Sequence, residues 1–323
     1  MKKISFIFAL ILSASTFLVG CTDDTANTNT KNENQLSIYT TVYPLKYMTE
    51  QIGGDYVNVS SIYPAGVDEH TFEPTQKDII QIAESDLFYY IGHNLEGFVN
   101  NVTKTLANEN VEMIAIGEKV HLDDHEAEAE EHSHDHEDHS HEDDGHDHGS
   151  VDPHLWIDPL YAKDMAESIK DSLVEKMPEQ EKVFEENYST LAQKLDELNA
   201  EYTKVFSEAK HDEFLVSHAA FGYWEDRYGA EQISVSGIST SEEPTQKSLE
   251  KLVDTAKEHE LNYILVEQNV SSKLTDIIQK EANLTSLPIH NLATLTQDDI
   301  DKGRDYFSIA KDNLNSLQKA LND

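Results

Sequence analysis

The chain alternates short apolar runs with longer amphipathic stretches, which is the pattern of β-strands followed by helices. From residue 36, runs of strand type (LSIYT, VNVSSIY, LFYYIG and VEMIAIG) are separated by stretches with helical periodicity. The same alternation returns after residue 211 with EFLVSH, EQISVSG and NYILVEQ. Strands that alternate with helices predict mainly parallel sheets flanked by helices. The sequence therefore predicts two α/β lobes, at residues 36–177 and 211–323.

Between these lobes, residues 178–210 carry one apolar stripe at helical spacing, with steps of three and four residues. Pro178 suits the first turn of a helix. A helix of this length spans roughly 45 Å, enough to run the height of both lobes. A coiled-coil dimer would also fit the stripe, but its few heptads favour packing within a monomer. The residues of the stripe are Phe184, Tyr188, Leu191, Leu195, Leu198, Tyr202 and Val205.

The first twenty residues have the layout of a secretory signal: a short basic start, an apolar run, and Leu-Val-Gly before Cys21. This run is too short and too weakly flanked for a stable transmembrane helix. Leu-Val-Gly-Cys resembles the bacterial lipobox, which implies a lipid on Cys21 that anchors the protein to the outer face of the cytoplasmic membrane. An ordinary signal with an incidental cysteine is the alternative. Residues 21–35 are polar and predict a flexible tether, and a single cysteine excludes an internal disulfide.

The net charge of the chain indicates which kinds of partner it can bind. The formal net charge is −38, which argues against nucleic acid and anionic lipid surfaces as partners and favours cations.

Residues 121–148 hold nine of the sixteen histidines, interleaved with thirteen Asp and Glu. Imidazole binds zinc, copper, nickel and iron, and neighbouring carboxylates favour a divalent cation. A segment this polar cannot bury enough apolar surface to order itself, so we expect a mobile loop that collects metal rather than the specific site. A solvated acidic tract is the alternative. The histidines of this auxiliary loop are His121, His125, His132, His134, His136, His139, His141, His146 and His148.

Three other histidines stand singly in distinctive settings. His70 lies in DEHTFEPT after a predicted strand, His154 lies in DPHLWIDP after the His-rich run, and His218 lies where a strand passes into SHAAFGYW. The ends of parallel strands are where α/β sheets build ligand sites. Together with the collecting segment, these histidines predict a metal site in a cleft between the lobes.

These segments resemble those of the metal-binding lipoproteins of bacterial ABC importers, the cluster A-I substrate-binding proteins that deliver zinc or manganese. The motifs D-x-H-x-x-E-P-T, D-P-H-x-W-x-D-P and S-H-x-A-F-x-Y, then GISTSEEPTQKSL and LVEQNVSSK, follow in the same order over nearly the whole chain. The resemblance implies two α/β lobes joined by one rigid helix. A His-rich acidic loop before the second histidine resembles the zinc-importing members.

The resemblance assigns His70, His154 and His218 as metal ligands. A third histidine, where manganese members carry Glu, implies zinc, and three imidazoles suit Zn²⁺ better than Mn²⁺. Glu267 and His93 are expected beside the site rather than on the metal.

The fourth ligand stays open at this point. Relatives carry a carboxylate in a segment resembling LPIHNLATLT, but Ala293 stands where that Glu is expected. His290 is the favoured replacement, with Glu69 or water as alternatives.

The resemblance implies capture of Zn²⁺ outside the cytoplasm and delivery to an ABC permease driven by its ATPase. No HExxH, G-x-S-x-G or phosphate-binding loop indicates an enzyme. A surface zinc buffer or adhesin is the alternative. A zinc-dependent hydrolase is a weaker one, since three histidines and an open position also build catalytic zinc.

Overall fold

Two four-stranded sheets, one in each half of the chain, form the framework of the protein. The computed structural model describes residues 35–122, 151–241, 244–268 and 273–323. The predicted signal peptide, Cys21, nearly all of the predicted tether and residues 123–148 of the His-rich segment lie outside the described residues. The strands are β1 (Leu36–Thr40), β2 (Val57–Ser61), β3 (Leu87–Tyr90), β4 (Glu112–Ala115), β5 (Glu213–His218), β6 (Glu231–Ser236), β7 (Tyr263–Glu267) and β8 (Thr285–Ile289).

Helices connect these strands and cover the sheets, as expected when every paired strand runs parallel to its neighbour. They are α1 (Tyr43–Gly53), α2 (Gln76–Ala83), α3 (Val99–Thr105), α4 (Pro159–Lys176), α5 (Glu181–Ser207), α6 (Tyr223–Tyr228), α7 (Gln246–Glu258), α8 (Lys273–Glu281), α9 (Gln297–Asp301) and α10 (Tyr306–Ala320). The prediction of two parallel α/β lobes is confirmed. In the part of the chain that the structure describes, no helix is both long and apolar enough to cross a membrane.

Both sheets have the same strand order, β2-β1-β3-β4 in the first and β6-β5-β7-β8 in the second. All pairs are parallel. The order reverses beside the first strand of each sheet, so the loops leaving two adjacent strands diverge there and open a crevice. In the second sheet this point lies between β5 and β7, which end at His218 and Glu267. The topology therefore brings these two side chains together.

The long helix α5 has 27 residues and begins three residues after Pro178, which lies in a preceding 3₁₀ turn. Most of its predicted stripe is buried within the chain, and Tyr188 and Val205 pack half-buried against the same core. The helix packs on α1 and α4 of the first lobe and on α6 and α10 of the second. The stripe is therefore used inside the chain, as the monomeric interpretation requires.

The lobes share one apolar core that includes Trp156 and Trp224, both fully buried. A smaller core lies under α7 and α8 of the second lobe. Polar contacts add to the junction: Arg227 of α6 pairs with Asp158, whose carboxylate also caps the N-terminus of α4. These contacts hold the loops of the first lobe against the second lobe, where the candidate site lies.

Candidate metal centre

His70, His154 and His218 come together in the structure although they are far apart in the sequence. Each offers one ring nitrogen, and these nitrogens all lie within 4.8 Å of one another. The ring centroids are 5.1–5.2 Å apart in every pair. His154 Nε2 and His70 Nε2 are separated by 3.2 Å. Three imidazole nitrogens this close together form a donor set that suits Zn²⁺.

Three different local structures position these side chains. His70 lies in the loop between β2 and α2, where its backbone N–H donates to Asp68 Oδ1 (2.9 Å). His154 directly precedes a 3₁₀ turn and α4, and its side chain is fully buried. His218 is the last residue of β5 and is also fully buried. Two histidines thus come from the first half of the chain and the third from the second lobe.

Two of the three rings are oriented by carboxylates. Asp152 Oδ1 lies 2.7 Å from His154 Nδ1, and Glu267 Oε1 lies 3.1 Å from His218 Nδ1. The second nitrogen of His218, Nε2, donates to the backbone carbonyl of Ile238 at 2.8 Å. A carboxylate behind a metal-binding histidine fixes its ring and raises its basicity. In His218 both ring nitrogens are occupied by protein groups, so a metal ion has to displace one of them.

The pKa values of His70 and His218 are shifted in opposite directions. Burial lowers the pKa of His70 to about 2, with a further contribution from His154 and His218. For His218, burial also opposes the charged form, but the hydrogen bond and charge of Glu267 and the Ile238 carbonyl outweigh it. They raise the pKa of His218 to about 9. Without metal at neutral pH, the ring of His218 is therefore positively charged, with both nitrogens protonated, and the ring of His70 is neutral.

Glu69 is a buried carboxyl next to the cluster. Its side chain is 5 % exposed, and Oε1 lies 3.9 Å from His70 Nε2. Burial and the nearby charge of Glu267 raise the pKa of Glu69 to about 8. Asn291 of the second lobe donates from Nδ2 to Glu69 Oε1 at 2.7 Å and accepts from Trp156 Nε1 at its backbone carbonyl. Glu69 therefore lies beside the three histidines, in a position that Asn291 of the second lobe stabilises.

The structure does not bring His290, the expected fourth ligand, into the group of three histidines. Its Nδ1 accepts the backbone N–H of Leu292 at 2.8 Å, and its Nε2 lies 3.5 Å from Asp299 Oδ2. Leu292 has φ +65°, a left-handed conformation that strains an L-residue. His290 stabilises this turn, which presents Asn291 to Glu69. Ala293 is fully buried, and its carbonyl accepts from the backbone of Tyr43.

The two residues expected beside the site differ in their positions. Glu267 contacts His218, as described above. His93 lies elsewhere in the first lobe, where its Nε2 is 3.2 Å from the carbonyl of Gly117 and its backbone has φ +49°. Of the His-rich segment, only His121 falls within the described residues, and it is not part of the group.

Sequence reasoning missed two residues of the site, Asp152 and Asn291. Asp152 stands two positions before His154, a spacing that lets a carboxylate accept from both the backbone and the ring of the histidine. The DPH tripeptide carried that signal. Asn291 carried none, because its role depends on contacts with Glu69 and Trp156, each more than a hundred residues away.

Two parallel α/β lobes, a long helix packed on both, and three histidines gathered from both lobes define a two-lobed metal-binding protein. Comparison with known proteins assigns it to a particular family. The chain belongs to the family described as zinc-uptake complex component A, periplasmic (ZnuA), whose model matches residues 38–320.

Individual relatives agree with this assignment. Over 99% of its length the chain is 34% identical to the zinc-binding lipoprotein AdcA of Streptococcus pneumoniae R6, covering 61% of that protein. It is 32% identical to the high-affinity zinc uptake system protein ZnuA of Bacillus subtilis 168, covering 99% of this chain and 98% of the relative. The crystal structure of the Zn(II)-bound ZnuA-like domain of S. pneumoniae AdcA superposes with a TM-score of 0.71 at 30% identity, covering 90% of this chain and 100% of that domain.

The chain thus spans about three fifths of the length of this AdcA relative and nearly the full length of the B. subtilis protein.

Proposed function

We propose that this protein captures Zn²⁺ outside the cytoplasm and delivers it to the permease of an ABC importer. His70, His154 and His218 bind the ion as transported cargo. The observation that carries this proposal is the convergence of three ring nitrogens within 4.8 Å in a chain of the zinc-uptake family. That family consists of uptake components and not of enzymes, which favours transport over a zinc-dependent hydrolase.

Three imidazole nitrogens favour zinc over manganese, because Mn²⁺ prefers oxygen ligands. Burial of the cluster excludes water from most of the ligand sphere, which suits tight binding of a single ion. The histidines come from both lobes, so a bound ion stabilises the contact between them.

The His-rich segment would serve as a collector of zinc close to this site. Two tyrosines hold its borders: Tyr161 donates from its hydroxyl to the carbonyl of Leu122 (3.1 Å), and Tyr223 donates to that of Asp152 (2.5 Å). The rings of the two tyrosines contact each other, with centroids 5.0 Å apart. Leu122 and Asp152, which lie on either side of the segment in the sequence, are therefore held by two tyrosines that contact each other. An anchor at Cys21 would keep the protein at the outer face of the cytoplasmic membrane, near the permease and its ATPase.

Zinc titration of the chain from Cys21 onward, with a competing chelator, tests the site. His154→Ala should weaken the tight site by several kcal/mol, because a closed site loses one of its few ligands. His259→Ala is the matched control, since His259 is surface-exposed and pairs with Glu213 outside the cluster. Equal affinities for wild type and His154→Ala would remove His154 from the site.

Transport is tested separately in cells. A deletion strain grown in low zinc should take up ⁶⁵Zn when complemented with the wild-type gene and fail to do so with the His154→Ala gene. A deletion strain with normal zinc uptake would contradict delivery and leave a zinc buffer or adhesin as the function.

A further inference from the structure

Asp152 links the ring of His154 to the second lobe. Its Oδ1 accepts from the backbone N–H of His154 at 3.0 Å and lies 2.7 Å from the ring Nδ1, while its backbone carbonyl accepts from the hydroxyl of Tyr223. We propose that Asp152 is a positioning residue that fixes the tautomer and orientation of His154 for metal binding, and that Tyr223 braces it from the second lobe. This inference rests on the proposed role of His154 as a zinc ligand.

The tautomer follows from the chemistry of the contact. An ionised carboxylate only accepts hydrogen bonds, so the Nδ1 of His154 has to carry the proton that it donates to Asp152. The other nitrogen, Nε2, is then an unprotonated lone pair. It faces His70 Nε2 at 3.2 Å, inside the cluster. The ring of His154 is therefore already in the form that binds a metal through Nε2.

The surroundings hold this arrangement in place. His154 is fully buried, and the Asp152 side chain is 19% exposed. Gly222, the residue before α6, leaves room for the carboxylate: a Cβ at this position would lie 3.1 Å from Asp152 Oδ2. Such an approach is tight for a side-chain contact. Asp152 is thus enclosed between its own loop and the N-terminus of α6.

Tyr223 supplies the support from the second lobe. Its hydroxyl donates to the Asp152 carbonyl at 2.5 Å, and burial raises the pKa of Tyr223, so the phenol keeps the proton that it donates. Its ring packs on Tyr161, which in turn lies under the guanidinium of Arg227 at 5.1 Å. Because Tyr223 belongs to the second lobe, the orientation of His154 depends on the contact between the lobes.

Three variants of the chain from Cys21 onward test whether Asp152 and Tyr223 position His154. Partners behind metal-binding histidines typically contribute tenfold to a hundredfold in affinity. Asp152→Ala should therefore weaken zinc binding at least about tenfold, and Asp152→Asn, which keeps an acceptor oxygen, should restore part of the loss. Tyr223→Phe should weaken binding by a smaller factor. Tyr228→Phe is the matched control, because Tyr228 lies on the same helix and donates to Asn199, away from the cluster.

A ¹⁵N spectrum of selectively labelled histidine supplies a readout that general destabilisation does not change. Without metal, the wild-type His154 resonance, assigned by its loss in His154→Ala, should show the Nδ1–H tautomer. In Asp152→Ala it should shift towards a mixture of tautomers. Wild-type zinc affinity in Asp152→Ala, or an unchanged tautomer, would overturn the proposal. If His154→Ala itself leaves zinc binding intact, the three-histidine site fails first, and the two failures are thus distinguishable.

Discussion

The imidazole of His218 lies with Nδ1 3.1 Å from Glu267 Oε1, at the ends of two neighbouring strands where the strand order of the second sheet reverses. Both side chains are buried, and the other ring nitrogen donates to the carbonyl of Ile238. This pair makes His218 the basic member of the cluster, and it determines how zinc binding responds to pH.

Zinc affinity should rise with pH up to about 9. Glu267, the Ile238 carbonyl and the nearby Glu69 raise the pKa of His218 to about 9, so the ring is protonated at neutral pH. Zinc needs the neutral ring, and binding therefore releases this proton. The proton displaced from His218 changes the affinity about tenfold per pH unit below pH 9, and a proton released by Glu69, whose pKa is raised to about 8, makes this dependence steeper below pH 8. For a histidine with an ordinary pKa, the dependence would begin only below about pH 6.5.

Calorimetric titrations in buffers of different ionisation enthalpy would count the released protons. Glu267→Gln removes the carboxylate that holds the proton, so this variant should release fewer protons at pH 7 than the wild type. Equal proton counts in the two proteins would contradict the assignment of the raised pKa to Glu267.

Arg227→Leu should destabilise the junction between the lobes by about 3 kcal/mol or more. Arg227 Nε lies 2.7 Å from Asp158 Oδ2, and the Asp158 side chain is fully buried. Removing the guanidinium leaves a buried carboxylate without its counter-charge, which is costly. Urea denaturation of the metal-free protein would measure the loss.

The double variant Asp158→Asn, Arg227→Leu provides the control. Asparagine carries no charge and still caps a helix N-terminus, so the double variant should recover part of the stability that Arg227→Leu loses. No recovery would mean that lost packing of Arg227 on Tyr161, rather than the unpaired charge, dominates the effect.

Deleting residues 123–148 should leave one tight zinc site and remove the weaker ones. This deletion keeps Leu122 and Asp152, whose carbonyls accept from Tyr161 and Tyr223. The three histidines of the cluster lie outside the deleted segment, so the affinity of the tight site should stay unchanged. Titration of the shortened and complete proteins would compare the number of ions bound. Loss of the tight site in the shortened protein would contradict a separate three-histidine centre.

Much of the fold and the centre of the site could be predicted from the sequence. Strand-helix alternation predicted the two parallel sheets, and the motifs around His70, His154 and His218, with the family resemblance that they carry, predicted that these three side chains share one site. These signals are local, because burial periodicity and strand-to-loop transitions are written in consecutive residues.

Consecutive residues do not determine in which direction a side chain points in the folded protein. His290 occupies a loop of the expected kind, three positions before Ala293, but a left-handed residue at Leu292 turns the backbone so that His290 Nδ1 accepts a backbone N–H. The interaction of Asn291 with Glu69 joins residues 222 positions apart, and only the packing of the two lobes creates it. The sequence alone therefore could not rank Glu69 above His290 as the candidate for the fourth position.

Glu69→Gln should weaken zinc binding more than His290→Ala does, which reverses the ranking that the sequence favoured. Glu69 Oε1 lies 3.9 Å from His70 Nε2, and the carboxyl is buried. A divalent cation at the cluster would favour the ionised form of this group, although its pKa in the metal-free protein is raised to about 8. Zinc accepts a carboxylate oxygen as its fourth ligand, and a buried negative charge beside it also lowers the cost of holding the ion.

His290 makes its contacts with Leu292 and Asp299 instead, so its removal should act only through the turn that presents Asn291. The Asn291→Ala variant separates the effect of the turn, which presents Asn291, from the effect of the Glu69 charge. It frees Glu69 Oε1 without touching a charged group, and its affinity should fall between those of the wild type and Glu69→Gln. Chelator competition on the four proteins at pH 8 would rank them. A larger loss in His290→Ala than in Glu69→Gln would return His290 to the metal, whereas wild-type affinity in both would leave water as the fourth ligand.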